Sequence, residues 1–246
     1  WFLFGDRVHV RITFRGYSWK VMRRVLSFGF CPFIIIAGDS VLIIALNTVL
    51  QNYGGAQGDM LIACATIVQS YMQIVTLPLG GISSGTQPIL SFNYGAKNSD
   101  RIRQGEKEIV KLALLFCLTM FIISQTVSGV FVRLFTQNPE YVQLSVWAIR
   151  VFTFGIIPLA LQYAFVDGLT ALGILKVSVS LSVFRKALFL IFTLVFPMFW
   201  GASAAFYAEP VVDIFCGLFS SVVFLSIIGK ILRRREEMAD GESLYS

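Results

Sequence analysis

The stretch Pro78–Lys97, PLGGISSGTQPILSFNYGAK, decides how the rest of the chain is read. Pro78, Gly80, Gly81, Gly85, Pro88 and Gly95 interrupt a run that is otherwise mainly apolar. Gly81 and Gly85 stand one helical turn apart, a spacing that lets a second helix approach closely in lipid. Gln87 and Pro88 follow, then Asn93, and the run stops at Gly95, ahead of a basic segment from Lys97 to Lys111. On these residues alone the stretch is a helix with a packing face and a kink.

Composition places that helix in a bilayer. The 246 residues are 56% hydrophobic and 14% charged, with 23 Phe and a mean hydropathy of +0.75. A soluble domain carries about 25% charged residues. A crossing takes roughly 20 apolar residues, so the length allows six spans with short connections. The fold expected is an all-α membrane protein of six transmembrane helices. The opening WFLFG reads as the end of a preceding helix, and the expectation is a C-terminal portion of a longer protein. Cys31, Cys64, Cys117 and Cys216 lie in apolar runs without CxxC spacing and read as small buried residues. With His9 as the single histidine, most zinc and histidine-based catalytic sites are excluded, and the chain does not read as an enzyme.

Residues 1–24 hold Arg7, Arg11, Arg15, Lys20, Arg23 and Arg24 with Trp19 among them, an interfacial segment. The lobe then occupies 25–232, and 233–246 is a charged tail expected to be disordered. Spans are predicted over about 25–50, 60–92, 109–135, 142–172, 183–206 and 211–232. The second is too long for the hydrocarbon and should tilt, bend or project. The fourth is broken by Gly155 and Pro158, and the fifth follows a serine-rich loop with Ser178, Ser180 and Ser182. Basic residues then segregate: eighteen of the 20 fall before span one, in loops two and four, or after span six. The positive-inside rule makes that side cytoplasmic, with both ends inside. The location expected is the plasma (inner) membrane.

Ionisable groups in hydrocarbon are costly and are functional candidates by default. Here they are Asp39, Arg150, Asp167 and Asp213. Tyr163 and Asp167 share a helix face, and a phenol beside a carboxylate suits a hard cation or a proton. Arg150 is expected to snorkel outward or to pair with an acid. Asp213 reads as structural, favourable at an extracellular helix start. Gln69, Gln73, Gln87 and Asn47 offer either interhelical hydrogen bonds or substrate contacts.

The pattern G…GxQP…xNYGAK, carried by Gly81, Gly85, Gln87, Pro88, Asn93 and Gly95, resembles the signature of the multidrug and toxic compound extrusion (MATE) transporters. Gly29-Phe30-Cys31-Pro32, Asp167 with Leu172-Gly173 and the serine stretch ending in Arg185-Lys186, and Glu209-Pro210 to Asp213 fit the same family in the same order. The resemblance implies one lobe of a twelve-helix transporter, its C-terminal six helices, with the N-terminal lobe as the missing partner. It implies export of bulky, often cationic amphipathic compounds across the bilayer by antiport with Na⁺ or H⁺, with no other cofactor and no nucleic acid. It also implies that Asp39, Tyr163 and Asp167 bind the coupling cation, with Asp39 and Asp167 as metal ligands if the ion is Na⁺. Alternatives are a lipid-linked oligosaccharide flippase of the wider superfamily, disfavoured because the buried charges are mainly acidic, and a non-transporting structural membrane subunit.

Overall fold

The computed structural model describes residues 18–243; side chains are described for most of these. The chain forms two compact units, Trp1–Asp39 and Ser40–Ser246. The first contributes the opening part of helix α1 (Trp19–Gly54), which continues through Cys31-Pro32 without a break, with Trp19, Val21 and Met22 exposed. Most of the basic interfacial segment falls outside the described residues.

The second unit is all helical among the described residues. α1 ends in a 3₁₀ turn, Gly55–Gln57, and α2 (Gly58–Gly85) follows. Leu46 and Leu50 share a buried cluster with Leu61, Ala65 and Val68, so the chain reverses at that turn. The expected long second span exists but is divided: α2 passes through Pro78 and stops at Gly85, and α3 (Gln87–Gly95) restarts after Thr86. The Thr86 hydroxyl donates to Ser83 O at 2.8 Å, closing the last turn of α2. Pro88, without an N–H, is tolerated in the first turn of α3. The NYGAK end of the motif stops α3. Asn98 N donates to Asn93 O at 2.9 Å, and Lys97 takes a positive φ of 59°.

α4 (Ser99–Thr126) starts under an Asn98 cap whose Oδ1 accepts from Arg101 N at 3.1 Å. It gives way to the single turn α5 (Ser128–Val132). α6 (Pro139–Phe152) is capped by Asn138, with Pro139 in its first turn. The fourth span is broken where Gly155 and Pro158 suggest, by a 3₁₀ turn at Thr153–Gly155 before α7 (Ile156–Ala171). α8 (Leu175–Trp200) begins earlier than expected. The serines 178, 180 and 182 lie inside this helix, not in a loop, and so do Arg185 and Lys186. A 3₁₀ stretch, Ala202–Tyr207, leads into α9 (Ala208–Ser243), which continues as helix through most of the charged tail expected to be disordered.

α7 is the organising helix, packed most extensively on α9 and then on α4. Its contact with α9 is backbone-close. A Cβ on Gly217 would lie 2.2 Å from Pro158 O, and one on Gly155 would lie 2.6 Å from the Asp213 Cβ. The intimate approaches in this unit therefore use Gly155, Gly168 and Gly217. A Cβ added at Gly81 or Gly85 would meet nothing within 4 Å, so the expected packing face does not pack within this lobe. Among the described residues five segments are long and apolar enough to cross a membrane, and the first of them, Ala37–Gly95, contains the reversal at Gly55–Gln57.

Candidate functional site

Asp167 projects from α7 toward the broken α2–α3 helix. Ser83, buried on α2, donates its hydroxyl to the Asp167 carboxylate. Gln87, at the start of α3, brings its side-chain amide near the same carboxylate. The break at Thr86 explains how both reach it: Ser83 sits in the last turn of α2 and Gln87 in the first turn of α3. Tyr163, one turn before Asp167, lays its ring against Gly80, where an added Cβ would stand 3.7 Å from Cε1. The glycine-rich stretch thus supplies the wall against which the Tyr163–Asp167 face of α7 rests.

A second acid, Glu106 of α4, approaches from the other side. It is 6% exposed, and its Oε1 has no hydrogen-bond partner. Gly168 makes room for it: a Cβ there would lie 2.8 Å from Glu106 Oε2. The Glu106 and Asp167 carboxylates are close enough for their charges to interact. Sequence reasoning misses Glu106 because it lies in the basic segment. The available signal is its register, since Ile102, Glu106, Ile109, Ala113 and Cys117 form one buried stripe at helical spacing.

The other expected residues are placed as follows. Asp39 closes the N-terminal unit on α1 and is exposed. Asn47 is half-buried on α1, with a buried Oδ1 that lacks a partner. Gln69 is half-buried and Gln73 exposed on α2. Asn93 donates to Ile89 O at 2.8 Å and serves its own helix. Arg150 is exposed at the end of α6, and its carbonyl accepts from Gln125 at 3.1 Å.

Asp213 is not a lone acid at a helix start. It is fully buried and bound by Arg185, whose Nη2 lies 2.6 Å from Asp213 Oδ1 and 2.6 Å from Glu209 Oε1. Arg185 Nε donates to the same Asp213 oxygen at 3.1 Å. This corrects the placement of Arg185 in a cytoplasmic loop, because it is a mid-helix cation holding α8 to the start of α9. Tyr163 lies within electrostatic reach of both this trio and Asp167.

Among the described residues no three His, Cys, Asp or Glu side chains cluster as a metal site. The oxygen set at Asp167 is mixed: a carboxylate, the Ser83 hydroxyl, the Gln87 amide and the phenol one turn away.

Comparison with known proteins gives a consistent relationship. The MatE family profile matches residues 33–196. The multidrug export protein MepA of Staphylococcus haemolyticus is 24% identical over 154 residues, covering 62% of this chain and 33% of that protein. MepA of Staphylococcus aureus is 19% identical over 240 residues, covering 96% of this chain and 51% of that protein. Among solved structures, an outward-facing multidrug resistance MATE family transporter of the MOP superfamily superposes with a TM-score of 0.82 at 18% identity, covering 94% of this chain and 52% of that one. A MATE structure in the bent conformation gives 0.83 at 17% identity, covering 96% and 52%. The chain spans about half the length of these structures and half or less of the curated relatives.

Proposed function

This chain belongs to the MatE family of membrane transporters, and we propose that it is the C-terminal lobe of a pump that exports bulky cationic compounds in exchange for Na⁺ or H⁺. The observation that carries this reading is the Asp167 carboxylate held between Ser83 and Gln87, with Tyr163 one turn away. An ionised carboxylate inside a membrane bundle is costly unless something compensates it. Hydroxyl and amide groups orient it, and a proton or a hard monovalent cation neutralises it. Either ion would be held by Asp167 with oxygens from Ser83, Gln87 and Tyr163; for Asp39, in the N-terminal unit, an ion-linked role rests on the family resemblance alone. Asn47, with its unpartnered Oδ1, is a polar group for substrate.

Substrate would occupy a cavity between this lobe and a second six-helix lobe, near the bilayer midplane. Export then follows if ion and substrate favour different states, since a ligand shifts an equilibrium only by its differential affinity. The basic ends of the spans would face the cytoplasm of a plasma membrane. The flippase alternative gains no support from Arg185, half-buried on α8, because it is already bound by Glu209 and Asp213.

Reconstituted vesicles carrying both lobes provide the test. Uptake of a cationic dye under an imposed Na⁺ or proton gradient should be lost in Asp167→Asn. Parental uptake in that variant under both gradients would overturn the assignment.

A further inference from the structure

A two-compartment groove runs along the basic end of α4 and α9. Its first compartment, about 430 Å³, is lined by Arg103, Lys230 and Arg233 together with Ser226 and Gly229. Its second, also about 430 Å³, lies between α4, α7 and α9 and is walled mainly by apolar side chains. Arg103 and Leu225 line both, so the two are adjacent. The floor of the apolar compartment is the stacked pair Phe165 and Phe224, with ring centroids 4.6 Å apart.

Charge and shape together select an occupant. Arg103, Lys230 and Arg233 converge on the first compartment, and none of them forms an ion pair among the described residues. Three convergent cations favour an anion, and a guanidinium matches phosphate oxygens bidentately. An apolar trough beside that anion site suits a hydrocarbon chain, not a soluble phosphate. Glu106 borders the trough with its carboxylate against Gly168, and Lys107 and Lys111 line the same trough. The compartments also sit at the correct depth: Arg103 lies in the second turn of α4, Arg233 closes the apolar span Ala202–Arg233, and Phe165 and Phe224 lie inside the apolar spans. The cationic compartment shares no residue with the Asp167 oxygen set and has the opposite charge, while Glu106 stands between that set and the trough.

We propose that this groove binds one anionic phospholipid, with its phosphate between Arg103, Lys230 and Arg233 and an acyl chain along Phe165 and Phe224. The lipid would bridge α4 to α9 at the end where α7, between them, carries Asp167. Basic pockets between transmembrane helices are established receptors for anionic headgroups. The inference does not depend on transport.

Native mass spectrometry of the purified chain in detergent, titrated with phosphatidylglycerol or with phosphatidylcholine of the same chains, is the test. One phosphatidylglycerol should be retained in preference to phosphatidylcholine. Arg103→Gln with Arg233→Gln should weaken retention on the order of thirtyfold, each surface cation contributing about fivefold. Lys20→Gln, on the N-terminal unit, should leave it unchanged. Phe224→Ala should weaken both lipids alike. Equal retention of the two lipids, or indifference to the double substitution, would overturn the proposal. So would displacement of the lipid by inorganic phosphate at equal concentration, which would make this a phosphate site. If the double variant is not monodisperse, the comparison of the two lipids on the parent chain decides.

Discussion

Ser83 and Asp167, 84 positions apart in sequence, are joined by a hydrogen bond from the serine hydroxyl to the aspartate carboxylate. The bond ties the last turn of α2 to the C-terminal part of α7 and fixes which way the carboxylate faces. Ser83→Ala removes one donor and leaves Gln87 in place, a loss of about 1–3 kcal/mol in orienting a charged acceptor. Gradient-driven uptake should fall while expression holds, whereas Asp167→Asn should abolish uptake. Tyr163→Phe should be milder than Asp167→Asn, since it removes one oxygen and no charge. A Ser83→Ala variant with unaltered ion dependence would show that the hydroxyl only packs.

The Arg185 trio predicts a stability effect. Removing one partner of a buried pair leaves an uncompensated charge and costs about 3–5 kcal/mol. Asp213→Ala should therefore lower the thermal midpoint of the purified chain markedly. Combining Arg185→Met with Glu209→Gln and Asp213→Asn should recover much of the loss, because no charge is left stranded. Additive destabilisation in the triple variant would contradict the pairing.

Gly217 and Gly81 should respond oppositely to alanine. At Gly217 the new methyl would collide with Pro158 O at 2.2 Å, and α7 and α9 must separate. Overpacking of this kind costs about 1–3 kcal/mol. At Gly81 nothing lies within 4 Å, and the helix gains roughly 0.5–1 kcal/mol from replacing glycine. Thermal unfolding of the two variants in detergent checks the contrast.

Orientation is testable at two exposed turn positions. Single cysteines at Gln57 and Asn98, on a cysteine-free background, should differ: an impermeant thiol reagent should label position 57 on intact cells and spare position 98. Equal labelling of both would overturn the assigned sidedness.

What is legible in the sequence follows from where the information is local. The break at Gly155 is readable because glycine and a nearby proline interrupt a helix wherever they fall. Asp167 is readable because a carboxylate in an apolar run is conspicuous. Ser83 is not, since a serine among glycines reads as packing and its partner is on another helix. The start of α8 is obscured for a related reason. Ser180 donates to Lys176 O at 2.7 Å and Ser182 to Ser178 O at 3.0 Å, so these serines satisfy themselves inside the helix. Reading them as a loop puts Arg185 outside the membrane and leaves Asp213 without its partner. Glu106 is hidden by its company, four basic residues within five positions on either side, which makes a buried stripe look like a solvated segment.

Arg185 also bears on how this chain is made. It sits ten residues into α8, roughly 15 Å along the helix axis, with Lys186 beside it. A basic residue near the centre of a span disfavours insertion by about 2.5–3.5 kcal/mol. The acids that neutralise it, Glu209 and Asp213, emerge from the ribosome only after α8 is complete. A chain stopped at Trp200 should thus insert α8 less efficiently than one extended through α9, as glycosylation mapping can report. α8 is a conditional span, one whose residence in the bilayer is secured by the helix synthesised after it.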